Sequence, residues 1–146
     1  METEIRIDPS CEKTKAVIFT AGITEEVNAA VRMLSQTEPK LLTGTKDGAV
    51  EIIDEVSVIR FYTEDGRVWA QTKDGKYAIK PRLYELEERL DSTRFVRISS
   101  GEIINLKKVK RFDLNLAGTV RVIFSDGGST YASRRYVAKL RKILGM

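Results

Sequence analysis

Cationic and hydroxyl side chains are concentrated in three short segments near the C-terminal end of the chain. These segments span residues 94–101 (RFVRISSG), 105–111 (NLKKVKR) and 131–136 (YASRRY). A guanidinium group can donate two parallel hydrogen bonds to a phosphate or to the edge of a guanine, and a lysine attracts phosphate as a point charge. These residue types therefore favour non-covalent recognition of a polyanion.

The sequence offers little for covalent catalysis. It has 146 residues with no histidine and one cysteine, Cys11. Histidine is the commonest general base and zinc ligand, so its absence argues against Ser-His-Asp, Cys-His and zinc-hydrolase chemistry. No Gly-rich phosphate-binding motif is present. We predict a protein that is not an enzyme, with no catalytic residue, no metal site and no cofactor.

Charge is distributed unevenly along the chain. Residues 1–56 hold 6 basic and 11 acidic side chains, a net charge of −5, whereas residues 57–146 hold 19 and 10, a net charge of +9. Residues 94–146 alone hold 12 basic and 3 acidic side chains, which accounts for the whole excess. This asymmetry is typical of a polyanion-binding protein, although a merely solvated basic surface would give the same counts.

The sequence shows no signal for secretion or membrane insertion. No apolar run approaches the roughly 20 residues that a membrane-spanning helix requires. The acidic start, METEIRID, lacks the basic and apolar regions of a signal peptide. We therefore expect a cytoplasmic protein.

The elements that would position these side chains begin with a small strand-helix-strand unit. Residues 15–20 (KAVIFT) contain a short apolar run that favours a buried strand. Thr24 is the expected N-cap of a helix that ends before Pro39. Its apolar face is indicated by residues at helical spacing, namely Ile23, Val27, Ala30, Val31 and Leu34.

Beyond residue 40 the pattern changes to short strands separated by Asp-Gly turns. Asp-Gly between extended runs is a strong hairpin signal, because both residues tolerate the positive φ of a tight turn. The sequence has four such sites, at Asp47-Gly48, Asp65-Gly66, Asp74-Gly75 and Asp126-Gly127. We predict a mostly β (α+β) fold that is rich in antiparallel hairpins.

Two further helices are predicted among these strands. Pro81 opens the first, in which Leu83, Leu86 and Leu90 share one side and the opposite side is acidic. That acidic side is not expected to touch DNA. The last helix is predicted over about residues 134–144, with Ser133 as its N-cap. Its inward residues are expected to be Val137, Leu140, Ile143 and Leu144.

The order of the basic segments resembles the LytTR DNA-binding domain, a family of bacterial transcriptional regulators. Residues 95–106 (FVRISSGEIINL), a strand pair at residues 120–131 and the helix opening SRRY at residues 133–136 follow one another as in that family. The resemblance covers roughly residues 49–146. The first 48 residues resemble the extension of stand-alone members, in place of the phospho-receiver of response-regulator relatives. The resemblance to this family implies that the chain has two parts, an extension at residues 1–48 and a LytTR-like domain at residues 49–146.

The resemblance implies a fold, a site and partners. The fold would be elongated and mostly β, independent of a helix-turn-helix, and would insert loops into successive major grooves of duplex DNA. It assigns base contacts to Ser99, Ser100, Asp126, Arg134 and Arg135. The sequence adds possible phosphate contacts at Arg97, Lys107, Lys108, Lys110, Arg111 and Lys139. Beyond double-stranded DNA, stand-alone members suggest a homodimer and a membrane-protein partner.

The chain departs from the family pattern at the first contact segment. Ser99 stands where many relatives have histidine, and Gly101 and Glu102 replace a common serine and an aromatic residue, so base choice is expected to differ there. Asp126 stands where a polar amide is used; its carboxylate would be repelled by phosphate, so a role within the turn is favoured over base contact. Asn105 is expected to be a turn or cap former.

The sequence therefore predicts a sequence-specific, double-stranded DNA-binding transcriptional regulator that lacks a phospho-receiver domain. The alternative is a ligand- or protein-binding interaction module with an incidental basic surface, which would show no salt-sensitive affinity for DNA. An RNA binder would need exposed aromatic residues that stack on unpaired bases, and no such pattern joins the tyrosines and Trp69.

Overall fold

The computed structural model describes residues 1–35, 41–114 and 118–146. The chain divides into two compact units, Met1–Lys40 and Leu41–Met146. None of the helices in the described ranges is long and apolar enough to cross a membrane.

In the first unit, the described residues 1–35 contain one helix, α1 (Glu25–Ser35). Thr24 caps it as predicted, because its hydroxyl oxygen accepts a 3.3 Å hydrogen bond from the N–H of Val27. Pro39, before which the helix was predicted to end, lies outside the described residues.

The strand predicted at residues 15–20 was wrong. That segment is irregular, and the side chains of Val17 and Phe19 are 63% and 92% exposed. An apolar run forms a strand only when a neighbouring strand satisfies its backbone groups, and the described residues supply no such neighbour here.

The described residues of the second unit, 41–114 and 118–146, form ten strands and two α-helices. The strands are β1 (Thr43–Lys46), β2 (Ala49–Ile52), β3 (Arg60–Glu64), β4 (Arg67–Thr72), β5 (Gly75–Ile79), β6 (Phe95–Ser99), β7 (Glu102–Asn105), β8 (Val109–Leu114), β9 (Val120–Phe124) and β10 (Ser129–Ala132). The helices are α2 (Leu83–Arg89) and α3 (Arg134–Ile143).

The strands form two antiparallel sheets. Seven strands are ordered β2-β1-β5-β4-β3-β7-β6, and three are ordered β10-β9-β8. The predicted mostly β, hairpin-rich antiparallel fold is thus confirmed. β1, which the sequence placed in the extension at residues 1–48, pairs with β2 and β5 of the larger sheet. The boundary at residue 48 itself stays a prediction.

All four Asp-Gly sites lie at hairpin turns between consecutive strands. Asp47 and Asp65 both have a φ of 51°, and each is followed by a glycine with positive φ. A two-residue turn with positive φ at both positions matches the twist of the flanking strands. In the β9–β10 turn, Gly127 has a φ of 92°.

Two hydrophobic cores hold the second unit together. One lies between the seven-stranded sheet and α2, and includes Phe61 and Leu86. The other joins β6 and β7 to the three-stranded sheet and α3, and includes Ile98, Val122 and Leu140. The prediction that Ile143 of α3 faces inward was wrong, since this residue is 42% exposed near the end of the helix.

Candidate nucleic-acid interface

The end of β6, which leads into the β6–β7 turn, is hydrogen-bonded to the residue before α3. The backbone N–H of Ser133, the residue before α3, donates a 2.9 Å hydrogen bond to the carbonyl oxygen of Ile98. Ile98 is fully buried and packs in the same core as Val137 and Leu140 of α3. Two segments that lie 35 residues apart in the sequence therefore form one surface.

That surface, called here the recognition surface, consists of Ser99, Ser100, Arg134 and Arg135. Ser100 and both arginines are exposed, and Ser99 is half-buried. Neither arginine forms an ion pair with any residue that the structure describes. The guanidinium carbon of Arg135 lies 5.7 Å from the centre of the Tyr136 ring. Four groups predicted to contact bases are thus brought together and left accessible.

The start of α3 adds backbone donors to the recognition surface. Ser133 is its N-cap, but its side chain makes no capping hydrogen bond. The first N–H groups of a helix have no partner within the helix and carry the positive end of its dipole. This helix start can therefore bind a phosphate as well as present Arg134 and Arg135 to a base edge.

The side chain of Arg97 is hydrogen-bonded to the backbone of the β6–β7 turn. Its Nε donates a 2.9 Å hydrogen bond to the carbonyl of Ser99, and its Nη2 donates one of 2.5 Å to the carbonyl of Ser100. The pairing of β6 with β7 is irregular between Arg97 and Ser99. The arginine thus satisfies backbone oxygens in a turn where the strand ladder is interrupted.

The charge of Arg97 is balanced by α2. Its Nη1 lies 2.8 Å from a carboxylate oxygen of Glu87, and the side chain of Arg97 is only 15% exposed. The other carboxylate oxygen of Glu87 lies 3.9 Å from the ammonium of Lys139 on α3. Two predicted phosphate contacts therefore share one acidic partner. The acidic side of α2 thus contacts two of the basic residues through Glu87.

The turn that leads from α2 into β6 is held by Asp91. Hydrogen bonds from the hydroxyl and the N–H of Thr93 lower the pKa of Asp91 below its usual range. The backbone N–H of Phe95, the first residue of β6, donates to the carbonyl of Asp91. This turn fixes where β6 begins, and so contributes to the position of its far end.

A second basic group lies beside the β9–β10 turn. Lys107 and Lys108 belong to a short 3-10 turn, Leu106–Lys108, and the carbonyl of Lys108 accepts a 2.8 Å hydrogen bond from the N–H of Ser125. In the same β9–β10 turn, a carboxylate oxygen of Asp126 accepts a 2.9 Å hydrogen bond from the N–H of Gly128. The carboxylate of Asp126 is thus engaged in its own turn.

Two more predicted phosphate contacts lie on β8, an edge of the three-stranded sheet. Lys110 and Arg111 are both exposed. Arg111 forms a 2.9 Å ion pair with Asp113 on the same strand, whereas Lys110 has no acidic partner among the described residues. Lys110 is therefore the freer of the two cations to contact phosphate.

The recognition surface and the second basic group lie at opposite ends of β10. Asp126 lies three residues before β10, and Arg134 lies two residues after it. At a rise of about 3.3 Å per strand residue, the four residues of β10 alone span about 13 Å between the two sites. The predicted base contacts therefore do not form one cluster: four lie together and Asp126 lies apart.

Comparison with known families decides what kind of domain carries this surface. Residues 49–145 match the model of the LytTr DNA-binding domain. The chain belongs to the LytTr DNA-binding domain family.

Similar proteins occur in Staphylococcus aureus. One, from strain NCTC 8325, is named as an uncharacterised HTH-type transcriptional regulator and is 36% identical over 146 residues, covering 99% of this chain and 92% of that protein. Another with the same description, from strain MRSA252, is 35% identical with the same coverage.

A solved structure shares the fold. It is the LytTr DNA-binding domain of a Bacillus cereus protein described as a methyl-accepting/DNA response regulator. The TM-score is 0.70 at 20% sequence identity, and the match covers 73% of this chain and 99% of that domain.

The surface of this LytTr domain is not built on a helix-turn-helix, although the relatives are named as HTH-type. Its two helices, α2 and α3, are separated by five strands, β6 to β10. A helix-turn-helix requires two helices joined by a short turn. In this domain the β6–β7 turn and the start of α3 form the recognition surface instead.

Asn105 stabilises the LytTr domain at the end of β7 that lies away from the β6–β7 turn. Its side chain is fully buried, and its Nδ2 donates hydrogen bonds of 2.8 and 3.3 Å to the carbonyls of Val58 and Val56. Its Oδ1 accepts a 3.0 Å hydrogen bond from the N–H of Lys107. The prediction that Asn105 is a turn or cap former is confirmed, because it caps the 3-10 turn that carries Lys107 and Lys108.

Sequence reasoning missed a buried polar network in the LytTr domain. Glu102 is only 7% exposed; one carboxylate oxygen lies 2.8 Å from Nη1 of Arg60, and the other accepts a 2.6 Å hydrogen bond from the hydroxyl of Thr130. Arg60 also donates a 2.7 Å hydrogen bond to Gln71. Nothing in the local sequence around any one of these residues indicates its partners, which lie 28 and 42 positions from Glu102.

Proposed function

We propose that this protein is a sequence-specific, double-stranded DNA-binding transcriptional regulator. The observation that carries the proposal is the hydrogen bond from Ser133 to Ile98, which joins the end of β6, next to the β6–β7 turn, to the start of α3. It unites small hydroxyl groups, a helix start and two arginines that have no ion-pair partner among the described residues on one accessible surface. Arginine and hydroxyl side chains bind base edges in the major groove, and a helix start binds phosphate. As a DNA regulator in a bacterium, the protein would act in the cytoplasm.

Within this proposal, Arg135 and Arg134 are the main base contacts, with Ser99 and Ser100 beside them. The hydroxyl of Ser99 accepts a 3.2 Å hydrogen bond from the N–H of Gly101, which leaves its own O–H free to donate. Arginine bound to the O6 and N7 of guanine discriminates by about 1–3 kcal/mol per contact. Asp126 is assigned to its turn rather than to a base.

Phosphate contacts are assigned to cations without an acidic partner among the described residues. Lys107, Lys108 and Lys110 meet this criterion beside the β9–β10 turn and on β8. Arg97, Lys139 and Arg111 each have an acidic partner, so we expect any direct contact that they make with phosphate to contribute less to DNA affinity. Each phosphate contact adds about 0.9 to the slope of log affinity against log salt concentration.

Two further partners belong to the proposal. The family resemblance supports a second copy of the protein on paired DNA repeats, and a membrane-protein partner for stand-alone members. Pairing on DNA would appear as two motif copies spaced by about one helical turn.

Selection of bound duplexes from a randomised pool tests this function. A specific regulator should enrich one motif over successive rounds, and two copies about one helical turn apart would support pairing. Enrichment of no motif would contradict sequence-specific binding. Failure to retain duplex at all would favour the interaction-module alternative.

A further inference from the structure

A second group of cations lies outside the basic C-terminal region, on the seven-stranded sheet. Arg67 begins β4, Lys80 directly follows β5, and Arg82 precedes α2. All three line one open depression, together with the small residues Thr45, Gly66 and Ala78. We call Arg67, Lys80 and Arg82 the sheet-end patch.

The cations of the sheet-end patch are not neutralised. None of the three forms an ion pair with a residue that the structure describes. Three acidic residues lie close to these cations along the chain. Glu64 is paired with Lys76 at 3.3 Å, Asp65 is exposed in the β3–β4 turn, and a carboxylate oxygen of Glu85 accepts a 3.4 Å hydrogen bond from the backbone N–H of Arg82. Even with Asp65 and Glu85 both counted, the three cations leave the patch a net charge of +1.

Strand register places the sheet-end patch at the same end of the sheet as the β6–β7 turn. The N–H of Thr63 donates a 2.9 Å hydrogen bond to the carbonyl of Gly101 in that turn. One residue further along, Glu64 pairs with Arg67 across the β3–β4 hairpin. On the next strand, Val68 pairs with Ile79, the residue before Lys80. The recognition surface and the patch thus share one rim.

The spacing along this rim suits duplex DNA. From β7 across β3 and β4 to β5 there are three strand spacings, or roughly 15 Å. A duplex that lies along the rim covers this length in about four base pairs, at 3.4 Å per step. Its phosphates would meet Arg67 and Lys80 just beyond the bases that contact the recognition surface.

We propose that the sheet-end patch binds the phosphate backbone of DNA flanking the recognised bases. This inference rests on the proposed function and extends it, because it places phosphate contacts on a sheet that the charge of the sequence did not indicate. The patch would add affinity and salt dependence without adding base discrimination.

The test compares a short duplex, limited to the selected motif, with one extended by about ten base pairs on each side. The variant Arg67→Gln/Lys80→Gln removes two cations of the patch, and Lys46→Gln/Lys73→Gln removes two from the opposite end of the same sheet as a matched control. Affinity is measured at several salt concentrations, and thermal unfolding checks that both variants are folded.

We expect the unaltered protein and the control to bind the long duplex at least about tenfold more tightly than the short one, with a steeper salt dependence. The patch variant should lose this gain, lower the salt slope on the long duplex by about 1.8 and bind the short duplex normally. Arg82→Gln removes one cation, so measured alone it should lower the salt slope on the long duplex by about half as much, roughly 0.9.

Two results would overturn the inference while leaving the proposed function intact. The patch variant could keep the full gain from flanking DNA, or the unaltered protein could bind both lengths equally. If the unaltered protein fails to distinguish the motif from a scrambled duplex, the proposed function and this inference fall together.

Discussion

The hydroxyl of Thr130 on β10 donates a 2.6 Å hydrogen bond to the buried carboxylate of Glu102 on β7. The other oxygen of that carboxylate is held by Arg60 on β3 at 2.8 Å. This contact links the three-stranded sheet, which leads into α3, to the seven-stranded sheet, which carries the β6–β7 turn. It therefore supports the two halves of the recognition surface.

Replacing Thr130 by valine should destabilise the protein. Thr130→Val removes a hydrogen bond to a charged group at nearly constant volume, so we expect the free energy of unfolding to fall by about 1.5–3 kcal/mol. Urea denaturation measures this change. Thr43→Val, at an exposed position on β1, is the control and should change it by less than about 0.5 kcal/mol. Equal effects of the two substitutions would mean that the contact with Glu102 does not stabilise the fold.

Arg97 is expected to act on DNA through the β6–β7 turn. Arg97→Lys keeps the charge but loses the pair of hydrogen bonds to the carbonyls of Ser99 and Ser100. Affinity for the selected duplex should fall about tenfold, equivalent to about 1.4 kcal/mol, while affinity for a scrambled duplex stays constant. Arg121→Lys on β9 is a matched control. A parallel loss on both duplexes would make Arg97 a phosphate contact instead.

Removing the charge of Glu87 should strengthen DNA binding. Glu87→Gln leaves Arg97 and Lys139 without their shared carboxylate, so more positive charge faces the duplex. We expect affinity for specific and scrambled DNA to rise together by about two- to fivefold at low salt, and the gain to shrink as salt screens it. Glu88→Gln on the same helix serves as the control. A gain confined to the specific duplex would contradict this electrostatic account.

Asn105 is expected to stabilise the fold rather than contact DNA. Asn105→Ala removes three hydrogen bonds and leaves the buried carbonyl of Val58 without this donor. The free energy of unfolding should fall by about 2–4 kcal/mol in a denaturant titration. Asn28→Ala, on the exposed side of α1, should have little effect. A loss below about 1 kcal/mol would show that water replaces the amide adequately.

Two substitutions are expected to distinguish a base contact from a phosphate contact by their effects on DNA affinity. Arg135→Ala should lower discrimination between selected and scrambled duplexes by about 1–3 kcal/mol. Lys108→Ala should weaken binding to all duplexes alike and reduce the slope of log affinity against log salt concentration by about 0.9. Affinities of both variants for both duplexes at several salt concentrations supply the measurement. If Arg135→Ala weakens both duplexes equally, Arg135 does not contact a base.

Local features of this fold could be predicted from the sequence, because their causes are local. Asp65 and Gly66 adopt the positive φ that a tight turn demands, and no distant residue is needed to specify that turn. Thr24 likewise caps α1 through an N–H three residues away. Asn105 was placed correctly through the family pattern.

Long-range features could not be predicted, because their causes lie in other elements. The apolar run at residues 15–20 resembles a strand, but a strand also needs a partner that the pattern does not name. Glu87 reads as an outward residue on an acidic helix, yet it contacts Arg97 and Lys139 from two other elements. The hydrogen bond between Thr130 and Glu102 could not be predicted for the same reason, because the two residues lie on different strands 28 positions apart. The sequence identified the individual cations, but it did not indicate which of them form ion pairs with acidic side chains.

The most direct test of specific DNA recognition is a titration of the selected duplex and a scrambled duplex at two salt concentrations. We expect the selected duplex to bind about 1000-fold more tightly or better, with affinity for both falling steeply as salt rises. Equal, weak and salt-sensitive binding to both duplexes would contradict the account, because it would leave only a basic surface without base recognition.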